Sequence, residues 1–197
     1  MSATGRSDVR RADDHYQTPD WCVEALLERV PLHGPVLDPC CGEGAILRVL
    51  DNWGVGLLGG VEISEERAAK AYDVASIAVG DYLTATFDHT WTANAIVTNP
   101  PFSLAEPFIR RALEFVAPGG DVIMLLRLNF LGARCRNEAE WSDYDIPLWG
   151  LGQLRAVYVL PRRPSFTGGG NDACEYAWFH WERDYRGPAV LDWLEAS

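Results

Sequence analysis

Near residue 36 a short apolar run, a glycine turn and a second apolar run follow one another without spacing. Val36 and Leu37 lead into Asp38-Pro39-Cys40-Cys41-Gly42-Glu43-Gly44, and Ala45 opens a helical stretch to about residue 50. A tight glycine turn lets the chain pass from a buried strand onto a helix that covers it, so this segment predicts a layered α/β unit. The pattern then repeats. Residues 57–63 read as a second buried strand, Ser64 as the N-cap of a helix to about residue 75, and residues 76–79 as a third strand. A fourth strand over 93–97 precedes Ser103 and Glu106, which stand at capping-box spacing and open a helix to about residue 116. Pro118-Gly119-Gly120 closes that helix, and 121–128 is a fifth strand, apolar as burial on both faces requires. Upstream, Thr18 is the expected N-cap of a helix to about residue 30, with Pro19 at its first position.

The alternation ends near residue 130. Residues 131–152, with Trp141, Tyr144 and Trp149 among charges, read as a surface excursion. Residues 154–160 and 175–181 are strand-like and predict an antiparallel hairpin at one sheet edge. The 197 residues suit one core. The expected organisation is a flexible polar stretch over 1–14 and a single domain over 15–197, with 131–152 and 161–174 as substrate-facing insertions.

Composition excludes several classes. No run approaches the roughly 20 apolar residues of a membrane span, and the polar start lacks a signal peptide's apolar stretch, so a cytoplasmic protein away from membranes is expected. Five cysteines without C-x-x-C spacing offer no zinc site or redox dithiol, and no metal is expected. A net charge of −11 argues against strong non-specific DNA binding by the whole surface. Charge is uneven, however: residues 122–170 hold six Arg against four acids, whereas 37–95 hold three bases against nine acids.

The chemistry-bearing residues fall at strand ends. Gly42 and Gly44 allow backbone to approach a ligand at a helix start, as an adenosine-containing cofactor needs. Glu62 in Val61-Glu62-Ile63 stands about twenty residues on, where a carboxylate accepts from ribose hydroxyls. Asp81 in Gly80-Asp81-Tyr82 follows the third strand, within reach of an adenine amino group, although a turn residue is the commoner reading. Asn99-Pro100-Pro101-Phe102 ends the fourth strand. Its two prolines stiffen the backbone and remove N–H donors, leaving the Asn99 side chain and the Pro100 carbonyl as a pair of acceptors for the two N–H groups of an exocyclic amine. Phe102 is placed to stack on a planar acceptor.

Together these motifs resemble the class I methyltransferases that modify amino nitrogens, and small phage-type DNA adenine N6 methyltransferases in particular. The resemblance implies one Rossmann-like domain with a mostly parallel sheet and a C-terminal antiparallel hairpin. It implies S-adenosylmethionine as cofactor, held by Tyr16, Thr18, Pro19, Asp38, Pro39, Cys40, Gly42, Gly44, Glu62, Ile63, Asp81, Tyr82 and Asn99. Catalysis would fall to Asn99, Pro100, Pro101 and Phe102, and substrate contact to Phe102, Arg162, Arg163 and Phe166. The implied partner is DNA, with a homodimer or a recognition subunit possible because no target-recognition domain fits. The same acceptor motif suits RNA adenine N6 or guanine N2 methylation, then protein glutamine N5 methylation, or a silent partner subunit that keeps the fold.

Overall fold

The computed structural model describes residues 17–86, 92–138, 140, 142–166 and 172–195. The expected flexible start, Tyr16, Trp141 and Gly168-Gly169-Gly170 lie outside them.

The described residues form four α-helices and eight strands. They are α1 (Asp20–Arg29), β1 (Val36–Asp38), α2 (Ala45–Asn52), β2 (Leu58–Glu62), α3 (Glu65–Ala68), β3 (Ser76–Val79) and β4 (Ala95–Thr98). Then follow α4 (Ala105–Phe115), β5 (Asp121–Arg127), β6 (Leu154–Val159), β7 (Tyr176–Glu182) and β8 (Val190–Trp193). The strands make one sheet in the order β3-β2-β1-β4-β5-β7-β6-β8. The first five are mutually parallel, and β7 runs antiparallel to both β5 and β6.

Side chains alternate across the sheet, and each face has its own core. Val36, Val97, Ile123 and Leu125 pack under α1 and α2 with Leu26, Leu47 and Leu50. Their neighbours Leu37, Ile96, Val122 and Met124 face the other way, against Ile109 and Ala112 of α4. This period of two is why the strands read as continuous apolar runs. Each such side chain, fully buried, contributes about 1.5–3 kcal/mol. Trp178 of β7 is fully buried and its Nε1 donates to the Cys22 carbonyl at 2.8 Å, tying the hairpin to α1. Among the described residues no helix is long and apolar enough to cross a membrane.

Several expectations need correction. Thr18 does not cap α1: Pro19 is the N-cap residue, without a side-chain cap bond, and the Thr18 hydroxyl is engaged by a distant strand end instead. Ser103 and Glu106 form no capping box. Phe102–Leu104 is a 3₁₀ turn, α4 starts at Ala105, and Glu106 pairs with Arg110 at 2.8 Å, a charge-assisted bond stronger than a neutral cap. Ser64 does cap α3 by accepting from the Arg67 N–H, but that helix ends at Ala68 and continues as turns that bring Ala71 against Gly44. The hairpin is not the sheet edge, because β8 adds a parallel strand outside β6. The described part of residues 131–152 is mostly exposed, anchored by the buried Leu148 and by Trp149, which stacks on Trp181 at 6.3 Å.

Candidate active site

The connection from β1 runs to β2 on one side while β4 lies on the other, so the carboxyl ends of β1 and β4 border a topological switch point. A crevice opens there in any sheet of this type. Asp38, Glu62 and Asn99 all sit at this edge, at the end of β2 or beside the switch point.

Gly44 caps α2 at φ +87°, a conformation costly for any other residue, and a Cβ on it would lie 2.9 Å from the Ala71 Cβ. Gly60 in β2 is required by close approach, since its Cβ would meet the Cys41 Sγ at 2.8 Å. The two cysteines therefore diverge. Cys41 packs on β2, while the Cys40 Sγ lies 2.9 Å from the Thr98 hydroxyl and 3.4 Å from the Asn99 carbonyl. Burial, then the nearby Asp38 carboxylate, push the Cys40 thiol well above its ordinary value, so it stays protonated and is no nucleophile at neutral pH. Pro39, just ahead of them, is buried.

Asp38 is 1% exposed and accepts from the Thr98 hydroxyl at 2.6 Å and the Cys40 N–H at 3.2 Å. Burial raises its carboxyl from 3.8 to about 7, and the hydrogen bonds from Thr98 and Cys40 only partly offset this. A carboxyl whose folded value exceeds its unfolded one binds its proton more tightly in the native state. Its contribution to stability is complete below the unfolded value and is lost as pH rises toward about 7. Unfolding free energy is thus expected to decline across that window, and Asp38→Asn to flatten the decline, as read by urea denaturation at several pH values. An unchanged slope in Asp38→Asn would assign the decline to other groups.

Glu62 is 4% exposed and fully engaged on one oxygen. Its Oε1 accepts from the Ser64 N–H and the Arg67 Nε, both at 2.9 Å, and Arg67 closes a buried ion pair at 2.8 Å. Its Oε2 accepts from the Gly42 N–H at 2.9 Å, which leaves one acceptor position on that oxygen. A diol can take that position, and a second opens only when Arg67 releases Oε1. Ile63 beside it is 67% exposed, an apolar surface at the crevice mouth. Glu43 bridges Gln17 at 2.8 Å and Lys70 at 2.7 Å, strapping the N-terminal segment across the glycine turn.

Asn99 donates from Nδ2 to the buried Thr18 Oγ1 at 3.2 Å, so its amide is oriented with Oδ1 on the opposite side. Among the described residues neither Oδ1 nor the Pro100 carbonyl accepts a hydrogen bond. Pro101 instead accepts from the Leu104 N–H at 2.8 Å and turns the chain into α4. Phe102 is half-buried beside Tyr176, ring centroids 5.7 Å apart, and Phe166 meets the same tyrosine edge-on at 5.1 Å. Two aromatic side chains assigned from separate motifs are thus brought to one ring.

No protein-family model matches the chain, and no curated protein matches it. Solved structures do. The chain is similar to a putative class I S-adenosylmethionine-dependent methyltransferase from Listeria monocytogenes, at a TM-score of 0.62 and 15% identity over 89% of this chain. It is similar at 0.61 and 15% identity, again over 89%, to the M protein of the type I restriction enzyme EcoKI. An RNA methyltransferase from Salinibacter ruber matches at 0.52 and 17% identity over 87%. This is the class I methyltransferase fold. The chain spans 62% of the Listeria protein's length, 45% of the EcoKI subunit's and 95% of the Salinibacter protein's.

Within the class I methyltransferase fold, some assigned residues have partners in the chain itself. Tyr82 is 2% exposed and packs in the core against Phe108 at 5.3 Å, because the turn after β3 points it beneath α4. Asp81 closes that turn, accepting from the Leu83 N–H at 2.9 Å and the Thr84 hydroxyl at 3.2 Å. Arg163 is paired with Glu175, and Arg162 lies over the Trp21 ring at 4.6 Å. Arg134, Arg136 and Arg155 are likewise paired with carboxylates within the locally positive stretch. Sequence reading passed over Thr98 and Arg67. Each had a signal: Thr98 is a polar residue ending an apolar strand, and Arg67 follows Glu62 by one helical turn beyond a cap.

Proposed function

We propose that this chain transfers a methyl group from S-adenosylmethionine to the exocyclic N6 of adenine in DNA. The observation that carries the reading is the orientation of Asn99. Thr18 takes one of its two amide N–H donors, which fixes the amide and leaves Oδ1 and the Pro100 carbonyl as two neighbouring acceptors without a partner among the described residues. That pairing suits an amino group, which has two N–H donors, better than a hydroxyl, which has one, or a carbonyl, which has none. The residues around the glycine turn fit the cofactor: Gly44 admits close backbone approach, Glu62 retains an acceptor position for a ribose hydroxyl, and Ile63 offers an exposed apolar face for adenine. When bound there, S-adenosylmethionine supplies an electrophilic methyl group on its sulfonium.

The chain's own residues do the rest. Asn99 Oδ1 and the Pro100 carbonyl each accept one N–H, which draws the nitrogen lone pair out of conjugation and stabilises the positive charge that develops on nitrogen. Phe102 stacks on the extruded base, offsetting part of the few kcal/mol that unstacking costs. Cys40 remains a thiol bonded to Thr98, so the route has no covalent enzyme intermediate. The paired arginines give little free charge for duplex phosphates, and this favours a single-stranded or RNA acceptor as the second reading. Incubation with tritiated S-adenosylmethionine and unmethylated DNA or RNA, followed by nucleoside analysis, tests both. Label on N6-methyl-2′-deoxyadenosine from DNA is expected. Label on cytosine C5, on protein, or on no substrate would overturn the reading.

A further inference from the structure

Phe102 has a fixed neighbour on its face. The Arg127 guanidinium carbon lies 4.8 Å from the Phe102 ring centroid, within the range of a cation–π contact. Arg127 ends β5 at the same sheet edge as Asn99, and its Nε donates to the Tyr176 hydroxyl at 3.1 Å. Tyr176 is buried, keeps its own proton and donates it to Asp172 at 2.9 Å. The guanidinium is therefore aimed by a hydrogen bond from a rigid strand, while the Phe102 ring is flanked by Tyr176.

The arrangement contributes little to folding. Arg127 is 41% exposed and its ion pair with Asp172 is long, at 3.9 Å, and such pairs are weak in solvent. Without Arg127 the Tyr176 hydroxyl still has Asp172 as a partner. An aromatic ring at a strand-end turn has two faces, and a base stacked on the wrong one would turn its amino group away from Asn99. We propose that Arg127 caps one face of Phe102, making the ring a one-sided platform that confines the acceptor base to the face from which its amino group reaches Asn99. Arg127 is on this account a positioning residue, and the inference rests on the acceptor reading above.

Arg127→Met, Arg127→Lys and Tyr176→Phe test it, with the nucleic acid that the wild-type protein labels as substrate. Arg127→Met is expected to raise KM for that substrate about three- to tenfold, the size of one exposed to partly buried cation–π contact, while S-adenosylhomocysteine affinity by calorimetry stays unchanged. Arg127→Lys, which keeps a cation over the ring, recovers part of the loss. Tyr176→Phe keeps the flanking ring and loosens only the guanidinium, so its rise in KM is smaller. A 2-aminopurine at the target position loses less fluorescence with Arg127→Met than with wild type, because stacking on Phe102 is less well ordered. An unchanged KM in Arg127→Met overturns the capping role, and a lowered KM shows that the guanidinium stands where the base should. Wild-type protein that labels no nucleic acid overturns the acceptor reading and this inference together, whereas equal transfer by wild type and Arg127→Met overturns this inference alone.

Discussion

Asn99→Ala is expected to lower the turnover number for methyl transfer by at least about 10²-fold, the cost of removing one preorganised dipole from a site of developing charge. The same change should leave S-adenosylhomocysteine affinity within a few-fold, because the glycine turn and Glu62 carry the contacts assigned to the cofactor. The separation between the two effects is what identifies an acceptor residue. Thr18→Val is a graded companion. It leaves the Asn99 amide in place but removes the oxygen that accepts from Nδ2, so the amide is free to flip and present a donor to the amine. Its turnover should fall by less than that of Asn99→Ala, with thermal stability little changed beyond the roughly 1 kcal/mol of one lost hydrogen bond. Single-turnover measurement with bound substrate makes the comparison. Equal loss of cofactor affinity and turnover in Asn99→Ala would mean that the side chain shapes the cofactor crevice and does not hold the amine.

Glu62→Ala is expected to destabilise the fold by about 3 kcal/mol as well as to abolish measurable cofactor binding, since it leaves the Gly42 and Ser64 N–H groups without their acceptor and breaks the mostly buried pair with Arg67. The Arg67 side chain is 18% exposed and the Glu62 side chain 4%, so solvent relieves little of that loss. Chemical denaturation and calorimetry separate the two outcomes. Arg67→Met is the informative control. It frees Glu62 Oε1 while keeping the Gly42 and Ser64 contacts, and cofactor affinity in that variant is expected to hold or rise, because a ribose hydroxyl no longer competes with a guanidinium. A large fall in affinity for Arg67→Met would show that the arginine orients the carboxylate for its ligand.

Much of this architecture was legible in the chain itself. The apolar runs that became β1, β2, β4 and β5 alternate in the fold between two cores, and their period follows from strand geometry alone, so they needed no knowledge of neighbours. Asp38-Pro39-Cys40-Cys41-Gly42-Glu43-Gly44 and Asn99-Pro100-Pro101-Phe102 were legible for the same reason: glycine and proline restrict or free the backbone locally, wherever the chain later goes. Ser64 capped its helix because a cap is a contact over three residues.

What lay beyond reach depended on distance along the chain. Thr18 was assigned to a helix start because its own neighbours favour that role, and it was drawn away by Asn99, 81 residues downstream. Tyr82 follows a strand end as ligand-binding residues do, yet the turn carries it into the core against Phe108. The uneven charge along the chain gave no sign that Glu106, Glu182 and Glu175 pair with Arg136, Arg155 and Arg163. The edge strand β8 has a parallel partner in β6 that no local pattern announces. Local backbone preference, set within a few residues, determined the elements and the acceptor motif. Which polar side chain meets which is settled by packing between segments far apart in sequence, and only the tertiary structure decided that Asn99 meets Thr18 and that Arg127 lies over Phe102.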